Sequence, residues 1–175
     1  MMNLYLVRKE YHIMDYIIRP VRQDDIDALA SVESICFPEA EAATKSSLRE
    51  RIQSFPECFF VAETAGSIIG FINGMATDST VIEDVMFEDS SLHKADGLYQ
   101  SIFGLDVLPD YRNQGIAAAL MNHIIADAKK KDRKGLILTC KEHLLHYYAK
   151  FGYENMGISN SVHGGAVWYD MILTF

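Results

Sequence analysis

The sequence is short of positive charge, of paired cysteines and of long apolar runs, and each shortage narrows what the chain can do. Sixteen Lys and Arg stand against 24 Asp and Glu, a formal net charge of −8. That balance repels nucleic acid backbones and anionic lipid surfaces, so neither is an expected partner, whereas a cationic small molecule is drawn in. The three cysteines, Cys36, Cys58 and Cys140, are scattered and form no C-x-x-C pair. A disulfide framework, a zinc site and a dithiol redox centre therefore lack support, and free buried thiols are the expectation. His143 and His146 stand three apart without a third ligand, so no metal is expected. No stretch approaches the roughly 18 uninterrupted apolar residues of a membrane span. Residues 1–15 lack the apolar block and small-residue cleavage site of a signal peptide, and a cytoplasmic location is expected. The absence of G-x-x-x-x-G-K-[ST] and G-x-G-x-x-G removes support for nucleotide hydrolysis and dinucleotide redox chemistry.

What is present suits one folded unit, because 175 residues, about half of them apolar, can bury a core of their own. Residues 1–15 carry apolar positions without a period and are expected to form an N-terminal extension before a domain spanning 16–175. Residues 16–20 predict a strand. Asp24 offers an N-cap for a helix reaching Cys36, and Thr44 for a second reaching Ser54. Residues 58–64 and 67–76 predict two strands joined through Ala65-Gly66. Residues 77–100 are acidic and without a period, and a connection this long is expected to be a lid-like insertion. A strand over 101–108, a helix over 115–131, a strand over 135–140, a helix over 143–151 and closing strands over 153–160 and 166–173 complete the order βααβββαβαββ. The class is α/β. A helix between the strands at 101–108 and 135–140 implies a right-handed crossover and one parallel pair inside a mixed, mostly antiparallel sheet.

Chemistry concentrates in Leu105-Asp106-Val107-Leu108-Pro109-Asp110-Tyr111-Arg112-Asn113-Gln114-Gly115-Ile116-Ala117. An apolar strand ends at a proline, passes through a polar turn and enters a helix at small residues. Backbone N–H groups at a helix N-terminus point outward unpaired and carry about half a positive charge, which suits a diphosphate. Gly115 and Ala117 keep side chains out of its way. The basic run 129–134 and the unassigned His163 in its glycine turn stay outside this pattern; the former suits a solvated helix end.

The spacing Arg112-x-x-Gly115-x-Ala117 resembles the acetyl-coenzyme A signature of the GNAT N-acetyltransferases. Tyr148-Ala149-Lys150-Phe151-Gly152-Tyr153 is similar to the family's second signature, an aromatic residue five places before the last aromatic of a Gly-Tyr pair. The likeness runs from about residue 16 to 173. Within the family the chain looks most like the arylalkylamine N-acetyltransferase group, on Arg19-Pro20, Ile35-Cys36-Phe37-Pro38, the acidic insertion and residues 138–142.

The resemblance implies a GNAT fold whose parallel strands splay at the coenzyme site, and acetyl transfer from acetyl-coenzyme A directly to a primary amine, an arylalkylamine among the options. It implies coenzyme contacts at Leu105, Asp106, Val107, Arg112, Asn113, Gln114, Gly115, Ile116, Ala117 and Tyr148. Tyr148 would protonate the departing thiolate, as a tyrosine near pKa 10 can for a thiol near 8.5. The paired histidines of vertebrate enzymes would fall at Ser101 and Phe103, neither of which serves as a base unaided. Glu41 is the candidate base, with Glu39 and Glu33 as competitors. Phe37, Phe103 and Glu41 are candidate acceptor contacts, Tyr99 a further wall, and the Val107 amide a candidate donor to the thioester carbonyl. Transfer to a peptide, amino acid or polyamine, and a non-catalytic acyl-coenzyme A sensor, stay as alternatives. Oligomeric state is open, a homodimer included.

Overall fold

The computed structural model describes residues 15–175. The expected extension lies outside them except for Asp15, whose carbonyl accepts a hydrogen bond from Thr64 Oγ1 at 2.7 Å. The strands are β1 (Ile17–Pro20), β2 (Phe59–Thr64), β3 (Ser67–Asn73), β4 (Ala76–Thr77), β5 (Tyr99–Ile102), β6 (Gly104–Val107), β7 (Gly135–Cys140), β8 (Glu154–Ile158) and β9 (Tyr169–Thr174). The helices are α1 (Ile26–Cys36), α2 (Lys45–Ser54), α3 (Val85–Glu88), α4 (Ile116–Lys130) and α5 (Leu145–Ala149).

Two sheets form, in the orders β1-β2-β3-β6 and β4-β5-β7-β9-β8. Every pair is antiparallel except β5 with β7, the expected parallel pair. The stretch read in the sequence as one strand over 101–108 is two. Its first half pairs with β7 as far as Ile102 opposite Leu138, and its second half pairs with β3 from Gly104 opposite Asn73 to Val107 opposite Gly70. Phe103 is the crossing point, and its N–H already donates to the Asn73 carbonyl at 2.7 Å. Past this residue β6 and β7 diverge, and the edges that face each other carry no ladder.

Local chemistry explains the framework. Ala65 and Gly66 both take positive φ, 48° and 78°, the two-residue hairpin geometry expected between β2 and β3. The Thr44 side chain accepts the Ser47 N–H at 3.1 Å and starts α2. α1 and α4 cover opposite faces of β3 and β6. Ile116, Leu120, Met121 and Ile124 of α4 are essentially fully buried, each contributing about 1.5–3 kcal/mol of apolar transfer.

The insertion is more ordered than its sequence implies. Ile82 and Met86 are buried, β4 and α3 form, and Asp84 accepts from Ser161 Oγ at 2.5 Å and from the Val162 N–H at 3.0 Å. Four helical residues are too few to show a period, so this wall is invisible to pattern reading. Among the described residues no helix is long and apolar enough to cross a membrane.

Candidate active site

The divergence of β6 from β7 opens a cavity of about 240 Å³. Ile102, Phe103, Gly104 and Leu105 line one side of it, and Leu138, Thr139, Cys140 and Tyr148 the other. The Leu108 N–H donates to Ile69 of β3 at 2.9 Å. Antiparallel ladders alternate the edge to which successive amides point, so the Leu105 and Val107 amides turn away from β3 toward the gap.

At the end of β6 the Arg112 Nε–H donates to the Val107 carbonyl at 2.9 Å, closing the turn, and the Gln114 side chain holds the Asp110 carbonyl at 3.1 Å. Gly115 takes φ 84° as the N-cap of α4 and supplies no capping side chain. The first helical bond runs from the Ala119 N–H to the Gly115 carbonyl, so the amides of Ile116, Ala117 and Ala118 have no partner within the helix. Arg112, Asn113, Gln114 and Gly115 are exposed around this nest of donors. A diphosphate fits it.

The expected coenzyme residues divide by what they can offer. Ile116 is buried in the core, which leaves its amide alone for a ligand. The Asp106 carboxyl sits on the face of β6 turned toward α1, away from the α4 side where Val107 packs. The basic run ends α4, about 22 Å along the helix from Gly115. Arg133 there is buried and donates to the carbonyls of Gly97 and Ala95, while Lys131 pairs with Asp127.

Tyr148, Glu41, Phe37 and Phe103 all reach the cavity wall. The Tyr148 hydroxyl makes no hydrogen bond among the described residues, and burial pushes its phenol up, so it keeps its proton. Glu41 is nearly buried and ion-paired with Lys141 at 2.7 Å. Glu39 is exposed, and neither it nor Tyr99 lines the cavity. The Ser101 hydroxyl is spent on the Met75 carbonyl at 2.8 Å. Cys140 also faces the cavity, but burial pushes its thiol up to about 11, which leaves little thiolate for an acyl-cysteine step.

Sequence reasoning missed Phe87, Trp168 and Arg51, and left His163 without a role. The His163 Nε2–H donates to the Glu41 carbonyl at 3.0 Å, and its ring lies 4.8 Å from that of Phe87. Trp168 donates from Nε1 to the His163 carbonyl at 2.9 Å and lies under Lys141. Phe87 comes from the insertion, His163 and Trp168 from the β8–β9 loop and Arg51 from α2, which no local spacing connects. Among the described residues Glu57, Cys58 and His93 also have the proximity of a metal site. His93 Nδ1 accepts the Ala76 N–H at 3.1 Å, so in the neutral ring Nε2 carries the proton and donates to Glu57 at 2.9 Å. The ring's one basic lone pair, on Nδ1, is thus engaged by the Ala76 N–H and not free for a metal.

Splayed strands, an uncapped helix after β6 and an unpartnered tyrosine across the gap form the candidate site. Residues 26–153 match the model of the acetyltransferase (GNAT) family, and the chain belongs to that family. It is 27% identical over 143 residues to the probable hydrolase YhcX of Bacillus subtilis, a match covering 77% of this chain and 28% of that protein. The chain thus spans little more than a quarter of that relative's length. The fold is similar to a GphF GNAT-like decarboxylase in complex with isobutyryl-CoA, with TM-score 0.77, 19% identity and coverage of 90% of this chain and 98% of the other. It is also similar to the ribosomal-protein-S18-alanine N-acetyltransferase of Escherichia coli, with TM-score 0.68, 18% identity and coverage of 91% and 94%.

Proposed function

We propose that the protein transfers an acetyl group from acetyl-coenzyme A directly to a small primary amine, with an arylalkylamine as the acceptor class. The observation that carries this reading is the gap beyond Phe103. Leu105 of β6 and Tyr148 line one cavity there, and the uncapped start of α4 follows on the same strand-turn-helix.

Each part then has a task. The amides of residues 116–118 and the exposed turn 112–115 bind the diphosphate, while the Leu105 or Val107 amide hydrogen-bonds the thioester oxygen as negative charge grows on it. Tyr148 protonates the leaving thiolate. Glu41, neutralised in part by Lys141, draws the ammonium group to the mouth of the cavity. The acceptor's ring lies among Phe37, Phe87, Phe103 and Trp168. Cavity size supports a small acceptor, and the protonated Cys140 thiol supports direct transfer.

Release of free thiol from acetyl-coenzyme A, followed across arylalkylamines, polyamines and short peptides, tests the reading. Turnover highest with an arylalkylamine supports it, and turnover confined to peptides or polyamines replaces the acceptor class. Tight coenzyme binding by calorimetry without thiol release from any acceptor would make the protein an acyl-coenzyme A sensor.

A further inference from the structure

On the face of β6 turned toward α1 and α2 lies a polar cluster that neither Tyr148 nor the amide edge uses. Asp106 and Asn73 are completely buried, and Glu33 is 5% exposed. No donor among the described residues reaches either Asp106 oxygen, and the Asn73 amide nitrogen has no acceptor. The group within hydrogen-bond reach of Asp106 is the Glu33 carboxyl. Two ionised carboxylates cannot bond to each other, whereas one proton held between them satisfies both. Glu33 Oε1 is fixed by the Ala43 N–H at 2.7 Å. Arg51, also buried, donates to Asn73 Oδ1 at 3.2 Å and to the Phe87 carbonyl at 3.3 Å, and its charge balances the single negative charge of the pair.

The unused polar atoms converge beside Gly104. A methyl group built there would stand 3.1 Å from Asp106 Oδ1, 3.3 Å from Asn73 Nδ2 and 3.9 Å from Glu33 Oε2. Gly104, Glu33 and Arg51 all line the cavity, so the pair meets the acceptor's space through the Glu33 carboxyl beside Gly104, while Asp106 stays behind it. Gly104 also directly precedes Leu105, where the amide edge begins.

We propose that Glu33 and Asp106 work as one proton-accepting pair, which through the Glu33 carboxyl at the cavity wall takes the proton that the acceptor ammonium must lose before it attacks. This rests on the acetyl-transfer reading. The ammonium nitrogen gives one proton to the pair and keeps the electrons. Its lone pair forms the C–N bond at the thioester carbonyl, and the C–S bond breaks with its electrons on sulfur. Sulfur takes the Tyr148 proton, and the second proton shed by nitrogen restores Tyr148. The products are the amide, the free thiol and a protonated pair that discharges to water.

The groups facing the pair are Cys36 from α1, Arg51 from α2, Arg112 from the turn after β6, and Tyr148 from α5. Burial first, and then Glu33 beside it, holds Asp106 well above the ordinary carboxylate range. The pair accepts the substrate's proton only after losing its own, so kcat/KM climbs with pH through this upper ionisation.

Two acceptors distinguish a proton acceptor from a packing element. Phenethylamine is a cation at neutral pH and needs a base, whereas trifluoroethylamine is already neutral. In the full chain, Glu33→Gln, Asp106→Asn and Gly104→Ala, which keeps both carboxyls but crowds Asp106 Oδ1 with a methyl at 3.1 Å, are each expected to lower kcat/KM for phenethylamine roughly 100-fold. Turnover of trifluoroethylamine should stay near that of the wild type. Asp106→Asn should also move the rising limb of the phenethylamine pH profile to lower pH. Equal losses on both amines in the folded variants would overturn the proposal by reducing the cluster to packing. A wild type that releases thiol with neither amine would instead remove acetyl transfer, and this inference with it. Should Asp106→Asn fail to fold, the same comparison in Glu33→Gln and Gly104→Ala decides.

Discussion

Tyr148 and Glu41 entered the cavity for different reasons, and their surroundings give them different work. The Tyr148 hydroxyl has no partner among the described residues, and burial favours its neutral form, the combination a proton donor needs. Tyr148→Phe keeps the ring against Tyr147 and Tyr153, whose centroids lie 5.2 and 6.0 Å away, and removes only the proton. Turnover is expected to fall roughly 100-fold while the coenzyme Kd stays unchanged, as steady-state kinetics beside calorimetry would show. A parallel rise in Kd would make Tyr148 a binding residue. Glu41, by contrast, is held by the Lys141 ammonium at 2.7 Å, which suits it to placing charge at the cavity mouth. The sequence marked Tyr148 because its partner Tyr153 is five residues away. It could not mark the Glu33 and Asp106 pair, whose members are joined only by packing α1 onto β6.

The strand-turn-helix of β6 and α4 was the most legible element, since a strand, a turn and a helix start are all short-range patterns. Its decisive details are conformational. Gly115 is needed for its backbone: a Cβ there would touch nothing within 4 Å, yet φ is 84°. Gly115→Ala is therefore expected to cost about 1–2 kcal/mol from the left-handed conformation alone. It should raise the coenzyme Kd as the amide nest relaxes, which denaturant unfolding and calorimetry measure on the same variant. An unchanged Kd would place the diphosphate elsewhere. The change of sheet at Phe103 was not legible, because residues 99–107 alternate like one strand and only pairing partners reveal two. The acidic insertion was read as a lid for a related reason. Its buried Ile82 and Met86 gain meaning only from distant residues that cover them.

The catalytic reading has a consequence for the stability of the whole molecule, because the fold encloses a carboxyl that prefers its proton. The folded-state pKa of Asp106 is raised above the unfolded value, by burial first and Glu33 second. Such a group adds stability that is complete below the unfolded carboxylate pKa of about 3.9 and is lost as pH rises through the folded value. Asp25 acts in the opposite sense: its hydrogen bonds to Arg19 and the Arg22 N–H outweigh the cost of burial and lower its pKa, so its contribution is present above that value and lost on acidification. Among the described carboxyls with a shifted pKa, Asp106 alone is raised and so makes the fold less stable as pH increases above the carboxylate range. Asp106→Asn retains shape and removes the titration, so its melting temperature relative to the wild type should rise between pH 5 and pH 8. Each kcal/mol amounts to roughly 2–4 °C in a chain of this size. Scanning calorimetry at the two pH values reads that difference directly, and any cost of the substitution that does not depend on pH cancels from it. A gap that stays constant or narrows would mean that Asp106 is ionised in the folded protein, in which case Glu33 and Asp106 share no proton.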